Sequence, residues 1–175
     1  MDRKQVRLTN YDYSQNGAYF ITICTKDMEN ILSSIVGDGA LDVPLLTLSE
    51  YGKTVENEIV KMNGIYEYLY VTSYIIMPNH VHFLIVIDKP DVGTSGAPSP
   101  TSCVGTSRAP SPTNSIVARY VSTLKRMTNK KCGVDLWQRS YYDHIIRNDE
   151  DYVMHLQYID ENPKKWLLGK DEYYT

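Results

Sequence analysis

The sequence predicts an α+β chain. Segments 18–25, 66–77 and 80–87 are rich in β-branched and aromatic residues and read as strands. Segments starting near Glu50, Asn114 and Asn148 carry apolar residues at helical spacing behind a capping side chain. Pro78-Asn79 leaves a tight connection between two of the strands, which favours antiparallel neighbours.

At 175 residues the chain is long enough for one domain, 1–175, with a sizeable core. Its hydrophobic fraction of 42% and charged fraction of 22% are those of an ordinary globular protein. No apolar run approaches the ~20 residues of a membrane span. Met1-Asp2-Arg3-Lys4 leads into polar sequence, unlike a secretory signal. Cys24, Cys103 and Cys132 are scattered and match neither a disulfide framework nor a Cys-x-x-Cys zinc site. A cytoplasmic protein with reduced thiols and no membrane partner is expected.

Taken in order, residues 3–16 form a polar arm in which Arg3, Lys4 and Arg7 could touch phosphate. Residues 18–25 make the first strand. Segments 31–36 and 45–48 make shorter strands around Gly37-Asp38-Gly39. Ser49 caps a helix from Glu50 whose stripe is Tyr51, Val55, Ile59 and Met62, and Asn63-Gly64 ends it. The strand 66–77 follows, then the strand from His80.

Composition changes at 89–113. Val92-Gly93-Thr94-Ser95 returns as Val104-Gly105-Thr106-Ser107, and each copy continues through Ala-Pro-Ser-Pro-Thr. Such a segment cannot bury a core and predicts a flexible insertion. Asn114 is expected to cap the next helix, whose buried stripe is Ile116, Val117, Tyr120, Val121 and Leu124. Cys132-Gly133 ends it. Residues 136–147 read as extended. Asn148 caps a last helix with Asp149, Glu150 and Asp151 in its first turn. Val153, Leu156 and Ile159 form its expected core stripe, and Pro163 predicts its end near Glu161.

The net charge of −3 excludes a generally basic surface. From Asn114 to Asp149, however, seven basic residues stand against three acidic ones. Arg119, Lys125, Arg126, Arg139 and Arg147 in that stretch are candidate polyanion contacts, and a solvated helix face is the plain alternative. The 15 Tyr against 2 Phe supply surfaces that can stack on bases or pack.

Two local patterns point to chemistry. In His80-Val81-His82, period-two alternation sends both imidazoles to one face of a rigid strand, with Leu84 and Val86, while Val81, Phe83, Ile85 and Ile87 take the other. That suits two ligands of one metal ion. A partly exposed, hydrogen-bonded His pair at a strand end is the alternative. On the last helix, Tyr158 lies about 200° around the axis from Leu156. It should project away from the core stripe, with Asn162 one turn later on its own side.

Met77-Pro78-Asn79-His80-Val81-His82, then Trp137-Gln138-Arg139 to His144-Ile145-Ile146-Arg147, then Tyr158-Ile159-Asp160-Glu161-Asn162-Pro163 resemble, in order and spacing, the REP-associated tyrosine transposases of the single-tyrosine HUH superfamily. The resemblance covers nearly the whole chain except the insertion. It implies an antiparallel sheet flanked by helices with a ferredoxin-like or RRM-like core. It implies His80 and His82 as metal ligands and Tyr158 as the nucleophile. Asn162 stands where many relatives of the wider superfamily carry a metal-binding Gln. The implied activity is nicking and rejoining of single-stranded DNA near hairpins, through a 5′-phosphotyrosine intermediate with Mg²⁺ or Mn²⁺. Two alternatives stay open: a non-catalytic hairpin-binding or regulatory module, and a metal-dependent phosphodiesterase that uses water. The sequence leaves the choice between monomer and homodimer open.

Overall fold

The computed structural model describes residues 14–37, 43–90 and 115–169. Most of the N-terminal arm, the tandem repeat and Asn114 lie outside the described residues. The described chain is α+β, with a four-stranded antiparallel sheet and three helices. Strand β1 (Gly17–Cys24) is followed by a short 3-10 turn (Lys26–Met28) and by β2 (Ser33–Val36) and β3 (Leu45–Leu48), which pair only with each other. Then come α1 (Glu50–Met62), β4 (Leu69–Ile76), β5 (His80–Ile87), α2 (Ile116–Cys132), β6 (Tyr142–Ile146) and α3 (Asp149–Leu167). The main sheet runs in the order β4-β5-β1-β6, every pair antiparallel.

The pleat divides this sheet into two chemically different faces. Tyr19, Ile21 and Ile23 of β1 and Val81, Phe83, Ile85 and Ile87 of β5 are buried on one side. They meet Val55, Ile59 and Met62 of α1 and Val117, Tyr120, Val121 and Leu124 of α2. Each such aliphatic or aromatic side chain contributes roughly 1.5–3 kcal/mol through burial, so this layer is the main core. On the other side Phe20 faces Leu84, Thr22 faces His82 and Cys24 faces His80. Helix α3 lies over that face, where Ile159 packs with Phe20 and Leu84.

The β4–β5 connection is a tight hairpin. Met77 N–H donates to His80 O (2.9 Å) across Pro78-Asn79. Thr25 N–H and Oγ1 both donate to Asn79 O (2.8 and 3.0 Å), and Leu32 N–H donates to Pro78 O (3.0 Å). The turn that starts the His strand is therefore pinned from β1 and from the segment before β2. Ser49 caps α1 as expected, its Oγ accepting from Gly52 N–H (3.1 Å). A Cβ at position 52 would collide with the carbonyl oxygen of Leu32, so glycine allows this close approach.

Four expectations change. The α2 cap is Ser115, whose Oγ accepts from Ala118 N–H (3.1 Å), one residue later than Asn114. Tyr51 lies at the rim of the α1 stripe, at 36% exposure. Val153 is exposed, so the buried edge of α3 runs through Ile159 and Asn162 instead. Helix α3 continues through Pro163 to Leu167. Proline removes one helical hydrogen bond and crowds the preceding turn. Beyond it, however, the Trp166 ring comes within 6.0 Å of the His80 ring, and Leu167 reaches the backbone at Gly37. Packing against the sheet offsets the local penalty.

Candidate functional site

Antiparallel register builds the site. Because Thr22 pairs with His82 across β1 and β5, its hydroxyl meets the imidazole directly, with Oγ1 2.7 Å from His82 Nδ1. Asn79, at the turn, places Oδ1 2.7 Å from His80 Nδ1. That oxygen accepts, so His80 Nδ1 carries the proton and Nε2 carries the lone pair. The two rings lie 4.5 Å apart, centroid to centroid.

Both His side chains are fully buried, as are their Nε2 atoms. The partly exposed strand-end pair is thereby excluded. Burial disfavours the charged ring. It pushes His80 down to about 3, with Asn162 acting in the opposite direction. His82 falls well below the ordinary range through burial and through the charges of His80 and His155. Neutral imidazole is the form that ligates metal.

Asn162 is also fully buried and lies beside His80. Its Oδ1 and Nδ2 make no well-aligned hydrogen bond among the described residues. Two neutral imidazoles and an amide oxygen on one face form a donor set that fits a hard or borderline divalent ion.

Tyr158 reaches the same place from α3. Its ring stands edge-to-face on His82, with centroids 5.3 Å apart, and on Phe20 at 5.9 Å. Lys165 Nζ lies over the Tyr158 ring, 4.7 Å from its centroid. Tyr158 does share a side with Asn162. That side is turned toward the sheet, however, so Tyr158 packs against the Phe20–Leu84–Ile159 cluster instead of projecting away from the core.

The structure adds a group that the sequence analysis did not assemble. His144, Asp151 and His155 place one ligand atom each within 4.8 Å of one another, so this cluster too could hold a cation. The Asp151 carboxylate accepts from Arg147 N–H (3.0 Å) and lies 3.0 Å from His144 Nε2 and 3.1 Å from His155 Nδ1. The His144 and His155 rings stack at 4.6 Å. Burial pushes the Asp151 carboxyl up, but the His144 hydrogen bond, the Arg147 N–H and the two imidazoles hold it below its ordinary value. The i,i+4 spacing of Asp151 and His155 was a readable signal. The arrival of His144 opposite Phe20 depends on the β1–β6 register.

The candidate basic residues are dispersed. Arg119 and Arg126 are exposed on α2, whose buried side covers the sheet face opposite His80 and His82. Arg119 lines a cleft of about 750 Å³ with Glu58, Tyr66 and Lys131. Lys125 Nζ donates to Gln138 O (2.8 Å) and Ser140 O (2.7 Å), tying down the segment after α2. Arg139 borders a smaller cavity with Lys26 and Asp135. Arg147 is exposed beside the His144–Asp151 pair.

The buried imidazoles predict an acid-sensitive fold. Their folded-state pKa values lie below the ordinary 6.5, so below pH 6.5 the unfolded chain binds more protons. Metal-free protein should therefore lose stability as pH falls from about 6.5 toward 3, at about 1.4 kcal/mol per pH unit from His80, with His82 acting in the same direction. Urea denaturation at pH 7.5, 6 and 5 checks this. Equal stability at all three pH values would mean that the rings are not buried neutral.

No family model matches the chain. It is 31% identical over 167 residues to an uncharacterized protein of Haemophilus influenzae, a match covering 94% of this chain and 89% of that one. It is 26% identical over 162 residues to a provisionally named REP-associated tyrosine transposase of the same organism, covering 90% and 77% of the two chains. Its fold matches a solved REP-associated tyrosine transposase bound to a REP hairpin, with a TM-score of 0.59 at 17% identity, covering 94% of this chain and 74% of that one.

Proposed function

We propose that the chain is a REP-associated tyrosine transposase, a reading supported by its 26% identity to relatives of that name, and that it nicks and rejoins single-stranded DNA at hairpins, with Tyr158 as the nucleophile. One observation carries this reading: Tyr158 and Asn162 on α3 are packed onto His82 and His80 of β5, so two motifs distant in sequence share one place.

The phenolic oxygen of Tyr158 attacks the scissile phosphorus. The bond to the 3′ oxygen breaks, leaving a 5′-phosphotyrosine diester and a free 3′-hydroxyl. The phenolic proton is lost and the 3′ oxygen gains one, both exchanging with solvent. The diester conserves the bond energy, so another 3′ end can reverse the reaction and rejoin the strand. Phe20 and His82 hold the Tyr158 ring from two sides, which restricts its approach to the phosphate. Asn79 and Thr22 hold the imidazoles so that both rings present Nε2. His80, His82 and Asn162 would hold Mg²⁺ or Mn²⁺, which supplies charge neutralisation and orientation at the phosphate when bound. Of the five candidate basic residues, Arg147, exposed next to the start of α3, is the one placed to guide the DNA toward this face. No described helix is long and apolar enough to cross a membrane.

The test is covalent trapping. Labelled single-stranded hairpin DNA should remain attached to the protein through denaturing electrophoresis. Cleavage without an adduct would favour the water-using phosphodiesterase, and hairpin binding without cleavage would favour the non-catalytic module.

A further inference from the structure

We propose that Lys165 is a further catalytic residue, supplying positive charge to the scissile phosphate beside Tyr158; this rests on the assignment of Tyr158 made above. The continuation of α3 through Pro163 is what makes the arrangement possible. Lys165 follows Tyr158 by seven residues, about two helical turns, and so returns to the same side of the helix. Its Nζ lies 4.7 Å from the centre of the Tyr158 ring, within the range of a cation held by an aromatic face.

The charges around this ring set what Lys165 can do. Glu161 Oε2 lies 3.3 Å from Lys165 Nζ, with the Lys side chain 35% and the Glu side chain 61% exposed. An ion pair so open to water is weak and can be exchanged for a stronger partner. A phosphodiester in line with the phenolic oxygen is such a partner, and it falls within reach of a flexible four-carbon stem.

During the attack, the new O–P bond forms as the P–O3′ bond breaks, and negative charge builds on the nonbridging oxygens. The Lys165 ammonium donates a charge-assisted hydrogen bond to one of them and stays protonated throughout. Glu161 keeps the ammonium near the ring while DNA is absent.

The experiment measures adduct formation by the full chain under single-turnover conditions at saturating DNA with Mg²⁺. Two substrates are compared: the ordinary oligonucleotide, and one carrying a methylphosphonate at the mapped scissile position, where a neutral methyl replaces one nonbridging oxygen. Lys165→Gln should slow the ordinary substrate about 100-fold, and Lys165→Arg should recover to within a few fold of wild type. On the methylphosphonate diastereomer lacking the contacted oxygen, wild type and Lys165→Gln should differ little, because the charge that Lys165 serves is gone. Equal penalties on both substrates would assign Lys165 a merely structural role and overturn the proposal. So would an unchanged saturated rate on the ordinary substrate. If neither protein cuts the neutral linkage, the arginine variant decides: recovery sustains the proposal, and a rate as low as that of Lys165→Gln overturns it. An adduct that persists in Tyr158→Phe would instead sink the nucleophile assignment, whatever Lys165 does.

Discussion

Tyr158→Phe should eliminate the protein–DNA adduct while leaving the fold and hairpin binding in place. The substitution deletes the attacking oxygen and keeps the ring, whose edge-to-face contacts with His82 and Phe20 persist. Removing an enzyme's covalent nucleophile costs on the order of 10⁴-fold or more in rate. The rival tyrosines are placed differently. Tyr152 Oη is 3.0 Å from Thr72 Oγ1, engaged with β4. Tyr141 is buried in the core on the opposite side of the sheet. Tyr142, paired with Thr22 and 48% exposed on β6, is the strongest rival because it stands on the site's own face. It lacks the contacts to His82 and Lys165 that Tyr158 makes. Adduct formation on single-stranded hairpin DNA with Mn²⁺, followed by peptide mapping, checks this. Mapping of the DNA to Tyr142, or undiminished adduct in Tyr158→Phe, would overturn the assignment.

His80→Ala and His82→Ala should each abolish cleavage, and each should also lower stability. Surface imidazoles would be removed almost without cost. These two are fully buried and hydrogen-bonded, so truncation leaves a void and an orphaned partner, Asn79 or Thr22. A loss of roughly 1–3 kcal/mol is expected, which lowers the melting temperature by about 2–4 °C per kcal/mol at this chain length. His144→Ala serves as the control. It removes a ligand from the His144–Asp151–His155 cluster and should leave Mn²⁺-dependent cleavage within about tenfold of wild type. If His144→Ala abolished cleavage while His82→Ala retained it, the catalytic metal would belong to the second cluster. Calorimetric titration of Mn²⁺ into the same three variants reads the binding step separately from the reaction.

These expectations rest on features of different origin. The alternation of a strand sends His80 and His82 to one face whatever surrounds them, and the i,i+4 geometry of a helix aligns Tyr158 with Asn162. Ser49 and Asn148 cap their helices through contacts three residues long, and Gly133 ends α2 with a positive φ of 71°. All of this was legible because each feature depends on spacing and side-chain type within a few residues.

Other features depend on segments that meet only in the folded molecule. Nothing near His82 in sequence indicates that Thr22 will bond its Nδ1; the β1–β5 register decides that across 60 residues. The full burial of the His pair comes from α3, whose expected stripe of Val153, Leu156 and Ile159 packs on the sheet through Leu156 and Ile159 but not through Val153. A helix surface carrying His155, Tyr158, Ile159 and Asn162 fits a sheet face that is itself half polar, and Val153 is left in water. The same packing carries α3 through Pro163, because the contacts of Trp166 and Leu167 outweigh a local penalty of about 3 kcal/mol. Local sequence determined which chemical groups point together along each element. Tertiary packing decided how deeply they are buried, what charge they carry, and that Lys165 returns to the ring of Tyr158, since burial and long-range register are properties of the surfaces that meet.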